Sequence, residues 1–367
     1  MTLNTATRKD REMWSFFAFH TVFITQVILS NVGTTLSTRI SNQSPIRRIY
    51  GKRNAAVRRE VSKIENSGIY GQTGILNPQH RVEYLNHPFD PIEKERKLNE
   101  QLNLQETEIK RDLTESTNSS LFHPIRIALN TDALDNERNA RNTHQIDLIK
   151  NEILPRTISF WESTLSVVPI SNNLIIELSD LAGKEYCGDA AFAKVPSSHT
   201  TIGVEDADLI LYVSGNPDAK FCGEDTLAVA VACNFDQFDR PIAGAINFCL
   251  SQVDVDSDGT APHYLIDDNV DVAIHEAAHV LGMSSNSYRY FWDSETGEPR
   301  TKRPFLSKLV VCVDDVERYQ TLPDENTMKF FTAENGQRYA SIVTPKVKTV
   351  TRNHFNCQSL EGAQLEV

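Results

Sequence analysis

Apolar positions are spread unevenly along this chain, and their spacing divides it. A first apolar run covers 16–32, interrupted by His20, Thr21, Thr25 and Gln26 and preceded by Arg8, Lys9 and Arg11. It is short for a spanning helix and reads as a signal peptide or signal anchor over residues 1–33. From 34 to 120 polar residues dominate, with a basic stretch at 44–60 and a stretch rich in Glu, Lys, Asn and Gln at 92–115. Such a composition buries little apolar surface and predicts a pro-segment or linker of low order.

Packed structure is expected from about residue 121. Apolar runs at 125–129, 173–178, 207–213, 227–233 and 243–248 read as strands, the last two separated by a polar turn at 234–240. The spacing of Ile146, Leu148, Ile149, Ile153 and Leu154 predicts helix over 143–167, kinked or broken at Pro155. A further helix ends at Gly282, with Asp267 or Asp268 as its cap and Asp271 near the positive end of its dipole. Strands with helices around them predict an α+β fold. The 299–340 stretch has no clear period and is expected to be a surface insertion.

Composition narrows the function. The chain has 367 residues, 37 of them basic and 49 acidic, a balance that argues against a nucleic-acid partner. All six cysteines lie in the C-terminal half without C-x-x-C spacing, so a zinc ribbon or thioredoxin site is not expected. Their even number, behind a targeting segment, predicts disulfides in an oxidising compartment.

The chemistry is concentrated in His275-Glu276-Ala277-Ala278-His279. Residues four apart share a helix face, so His275 and His279 can turn two imidazoles to one Zn2+, one ion per chain. Glu276 then stands where a carboxylate can take a proton from an activated water. A catalytic zinc takes three protein ligands. The compact metzincin pattern places its third histidine where this chain has Ser285, and beyond His279 the chain's remaining histidine is His354.

The ordered motifs Cys187-Gly-Asp, Asp208-Leu-Ile-Leu-Tyr-Val, Ala230-Val-Ala-Cys, Pro241-Ile-Ala-Gly-Ala-Ile-Asn-Phe and His275-Glu-Ala-Ala-His-Val-Leu-Gly resemble leishmanolysin, the M8 family of metzincin peptidases. Val343-Thr-Pro-Lys-Val and the stretch from Asn353 to Glu366 resemble segments that follow the helix in that family. The resemblance implies a metzincin-type zincin domain, a mixed twisted sheet plus an active-site helix, behind the pro-segment. It divides the packed half into an N-terminal subdomain at 121–285 and an insertion with an incomplete C-terminal subdomain at 286–367. It implies His275 and His279 as zinc ligands, Glu276 as general base and a Cys187–Cys233 disulfide. Cys222 with Cys249 is a second candidate pair that does not rest on the family. By the same resemblance Ala243, Gly244, Ala245, Ile246, Asn247 and Phe248 form the edge strand that pairs with an extended peptide substrate.

The resemblance also sets expectations that this chain departs from. The family's third zinc histidine and methionine turn follow the Leu360-Glu-Gly segment, so the sequence reads as truncated within that region. His354 matches a family histidine that is not a ligand, Met328 does not match the methionine turn, and a cysteine-switch latency lacks its cysteine. The leading reading is a secreted or membrane-associated zinc endopeptidase, extracellular or in an endomembrane lumen, with the membrane reached through the N-terminal segment if that is uncleaved. The alternative is a catalytically inactive relative that binds peptides or serves cell-surface adhesion. A third reading has His354 substituting as a ligand.

Overall fold

A computed structural model of the chain describes residues 82–84, 87, 89 and 121–365, apart from 218, 224–225, 312–316 and 335. The signal or anchor segment at 1–33, most of the 34–120 stretch and Cys312 lie outside the described residues. No helix of the described residues is long and apolar enough to cross a membrane.

The described part is a mixed α+β structure. It opens with β1 (His123–Pro124), β2 (Ile127–Asn130) and a short helix α1 (Asp132–Asn136). Of the helical stretch expected over 143–167, residues 143–164 are helical without a break, as α2 (Thr143–Leu148), a π segment (Ile149–Ile153) and α3 (Leu154–Thr164), while 166–167 are a strand instead. Pro155 has no N–H to donate, and its ring crowds the carbonyl one turn back. Widening to π geometry just before it accommodates both defects, so the helix continues through the proline.

After β3 (Ser166–Val167), which pairs with β1, and α4 (Ser197–Thr201) come three strands, β4 (Leu209–Ser214), β5 (Ala228–Phe235) and β6 (Pro241–Phe248). The main sheet has the order β2-β4-β6-β5, with β2, β4 and β6 parallel and β5 antiparallel to β6. Both faces of this sheet are covered. Leu209, Leu211, Val213, Ile246 and Phe248 pack with Ile146, Ile149, Ile153 and Trp161 of the helical stretch. Their neighbours Ile210, Tyr212, Ala243 and Ala245 turn to the opposite side, against Leu174, Ile176, Phe192 and Phe221. Alternation along a strand sends successive side chains to opposite faces. Two covered faces therefore make β4 buried throughout and apolar up to Ser214, as buried parallel strands are.

Two expectations need correction. The 173–178 run is not a strand; Leu174 makes a single bridge to Val204, and Leu174 and Ile176 serve as core side chains beneath the sheet. The helix ending at Gly282, α5 (His263–Val280), begins earlier than expected and has Pro262 at its N-cap. Asp267 and Asp268 therefore lie inside it and cap nothing.

Cys187 is bonded to Cys233, with Cα atoms 5.1 Å apart, and Cys222 to Cys249, at 5.5 Å. The first ties β5 to the segment beneath the sheet, and the second closes a loop onto the end of β6.

Beyond α5 the 299–340 stretch is more regular than its sequence predicts. It holds two antiparallel pairs, β7 (Lys308–Val311) with β8 (Glu317–Gln320) and β9 (Met328–Thr332) with β10 (Arg338–Ile342). A helix, α6 (Pro345–His354), and β11 (Ala363–Gln364), paired to β10, complete this region. Tyr288, Met328, Ile342, Val347 and Ala363 form its own small core.

Candidate metal centre

Helix α5 packs against β5, β6 and α3 through Val270, Val272, Ala273, Ile274, Ala277, Ala278 and Val280. That apolar surface fixes the rotation of the helix and leaves His275 and His279 half-buried on one face. Glu276 is turned inward and is 1% exposed. Gly244 of β6 lies directly beneath Val280; a Cβ built on it would meet Val280 Cγ1 at 2.2 Å. A glycine there lets the helix end approach the sheet closely.

The end of the helix completes the arrangement. Gly282 N–H donates to the carbonyl of His279 and Met283 N–H to that of Ala278, the paired bonds of a Schellman cap. Gly282 sits at φ +106°, a backbone region that glycine occupies at little cost. This turn brings the Met283 carbonyl back to His279 Nδ1, 2.7 Å away. A carbonyl can only accept, so Nδ1 carries the proton and the Nε2 lone pair is left facing outward.

His279 Nε2 lies 3.0 Å from His275 Nε2, with the two rings perpendicular. His275, Glu276 and His279 offer ligand atoms that all lie within 4.8 Å of one another. Zinc bonds imidazole nitrogen at about 2.0–2.1 Å, so two Nε2 atoms at this separation can be bridged by one ion. The backbone carbonyl behind His279 is the kind of outer partner that orients a metal-ligating imidazole. The donor set fits a zinc ion.

Other residues singled out in the sequence lie elsewhere. Ala243, Gly244, Ala245, Ile246, Asn247 and Phe248 do not form an edge strand. They lie in β6, bonded to β4 on one side and β5 on the other, so their backbone groups are already committed. Asn247 is likewise occupied, its Oδ1 accepting from Ser214 Oγ and Asn216 N–H. Among the described strands the sheet edge on that side is β5. His354 stands exposed on α6 and is not in the metal-binding group, so the structure does not support it as a substitute ligand. Met328 belongs to the small C-terminal core. Met283 was not foreseen from the sequence, because its contribution is a backbone carbonyl; the one local signal is Gly282.

Comparison with known proteins gives the family. The family model described as Leishmanolysin, Peptidase M8, matches residues 130–367. A leishmanolysin-like peptidase of Caenorhabditis elegans is 31% identical over 292 residues, 67% of this chain and 42% of the relative. A leishmanolysin-like peptidase of Drosophila melanogaster is 28% identical over 292 residues, 66% of this chain and 40% of the relative. Leishmanolysin of Leishmania donovani is 24% identical over 182 residues, 48% of this chain and 28% of the relative. The chain thus spans about two fifths of the length of the first two relatives.

Proposed function

This chain belongs to the leishmanolysin family of M8 peptidases, and from that premise we propose that it is a zinc-dependent metalloendopeptidase with a metzincin-type zincin domain. The observation that carries the reading is the convergence of His275 Nε2 and His279 Nε2 beside the buried Glu276. In this reading the two imidazoles hold one zinc, and the Met283 carbonyl keeps His279 in the ligating tautomer. Zinc in such a setting supplies Lewis acidity, polarising a carbonyl and acidifying water. Glu276 takes the proton of the attacking water and returns it to the leaving amine nitrogen. The substrate is a protein or peptide bound extended. The strand-pairing role assigned from the sequence to Ala243–Phe248 passes to β5, where an added strand would find the sheet edge. Two disulfides suit a secreted or endomembrane location.

A second reading takes the described group as it stands. A catalytic zinc takes three protein ligands, and the group among the described residues has two histidines besides Glu276. On this reading the chain is a non-hydrolytic relative that binds peptides, for example in cell-surface adhesion.

One experiment separates them: hydrolysis of an unfolded protein substrate by the full chain with added zinc, compared with Glu276→Gln and with chelator. Cleavage lost in both controls supports the peptidase. Zinc retention and peptide binding without cleavage support the second reading. Chain that neither retains zinc nor cleaves would overturn the metal centre itself.

A further inference from the structure

The turn between β5 and β6 is engaged, residue after residue, by two segments distant in sequence. Asp236 builds it, its Oδ1 accepting from the N–H groups of Phe238 and Arg240. Its other oxygen accepts the Tyr84 hydroxyl. Gln237 closes a two-bond clasp on the backbone of Val82: Val82 N–H donates to its Oε1 at 3.0 Å, and its Nε2 donates to the Val82 carbonyl at 2.8 Å. The Phe238 ring stacks on His87, with centroids 3.8 Å apart and planes 6° apart. Asp239 accepts from Trp292 Nε1 and from Arg303. Arg240 lies over the Tyr84 ring, 5.2 Å from its centroid.

The two incoming segments also meet each other. Phe89 stacks on Trp292, with centroids 5.4 Å apart and planes 7° apart. On the far side Glu83 adds backbone contacts, its carbonyl accepting from Ser171 N–H and Ser171 Oγ, while Tyr84 bridges Ile170. Val82 and His87 are buried, at 8% and 9% exposure. A stretch that its composition assigns to a pro-segment therefore makes side-chain-specific contacts of the kind found inside a domain.

We infer that Val82, Glu83, Tyr84, His87 and Phe89 are an integral part of the folded unit, seated on the Asp236–Arg240 turn firmly enough to stay attached once the chain is cut downstream of Phe89. The turn is in effect a receptor for the side chains of Tyr84, His87 and Phe89 and the backbone of Val82, and its occupant is the chain itself. A break between Phe89 and residue 121 then does not by itself release what precedes it. The occupant also joins the turn to Trp292, thirteen residues after His279, so it braces the segment that leaves the metal centre.

The test uses the full chain with a recognition sequence for a site-specific protease inserted after residue 104. Cutting is verified on a denaturing gel, and the cut protein is then run on native size exclusion. The N-terminal piece is expected to co-elute with the remainder. A Tyr84→Ala/Phe89→Ala variant, which alters the occupant and leaves the turn intact, is expected to lose the piece at least ~10-fold faster. Separation of the pieces in the otherwise unaltered protein would overturn the inference. Equal retention in the variant would overturn it too, by placing the attachment somewhere other than this turn.

Discussion

His279 Nδ1 and the carbonyl oxygen of Met283 lie 2.7 Å apart, across the cap that ends helix α5. The contact exists because Gly282 takes a positive φ and turns the chain back on itself. A Cβ at Gly282 would meet nothing within 4 Å, so substitution is penalised by backbone conformation and not by crowding. Gly282→Ala is therefore expected to cost about 1–2 kcal/mol, the left-handed penalty of an L-residue. It should also weaken zinc binding by roughly 10–100-fold, the usual effect of losing an outer partner of a ligating histidine. Thermal denaturation checks the first effect and metal titration the second. Lost stability with unchanged zinc affinity would show that the carbonyl does not orient the ring.

Zinc should stabilise the protein through the two imidazoles. An ion present at about a hundred times its Kd adds ~2.7 kcal/mol to the stability of the state that binds it. His275→Ala and His279→Ala are each expected to abolish the rise in Tm on adding zinc, and Glu276→Gln to preserve most of it. A zinc-dependent rise that survives in His275→Ala would exclude this pair as the ligand set.

The clustering of His275, Glu276 and His279 was legible in the sequence because its information is local. Spacing of four places His275 and His279 on one helix face, and Gly282 marks where the helix stops. Strand order is not local. Ala228–Phe235 and Pro241–Phe248 are both apolar runs, and nothing within either says that the second is flanked on both sides; pairing with β4 decides it. The 173–178 run shows the same limit, since Leu174 and Ile176 are buried as core side chains without a ladder. Val82, Tyr84, His87 and Phe89 were missed for a different reason. Four contact-making residues within a long polar stretch vanish when composition is averaged over it.

Stability should fall as pH rises toward neutrality, through Asp271. Burial, followed by the negative charges of Asp268 and Asp267, pushes its carboxyl up to about 7 from an ordinary 3.8, against the opposing pull of Arg156. The folded state thus binds this proton more tightly than the unfolded chain. Its contribution is complete below about pH 4, declines between about 4 and 7, and is gone above that window. Asp271→Asn, which keeps the shape and cannot ionise, should flatten this part of the profile and stabilise the protein at pH 8. Denaturant unfolding from pH 4 to 8 provides the comparison. Parallel profiles for the two proteins would mean that Asp271 ionises normally.

Helix α5 can sit where it does only because β6 carries no side chain at 244. A Cβ there would come within 2.2 Å of Val280 Cγ1 and 2.8 Å of the Val231 carbonyl oxygen. The side-chain contact can be relieved by removing methyl groups, whereas the contact with the β5 backbone persists. Gly244→Ala is accordingly expected to destabilise by about 1–3 kcal/mol, the usual range for overpacking a core. By displacing the end of α5, it should also loosen the pairing of His275 with His279 and lower zinc affinity. Val280→Ala alone leaves a small cavity and is destabilising as well. Combined with Gly244→Ala, it should recover part of the loss, giving a favourable coupling of roughly 0.5–3 kcal/mol in a double-mutant cycle. Partial recovery is the informative result, because the contact with the Val231 carbonyl of β5 remains after Val280 is trimmed. Strict additivity of the two substitutions would show that Val280 is not what holds the helix against β6.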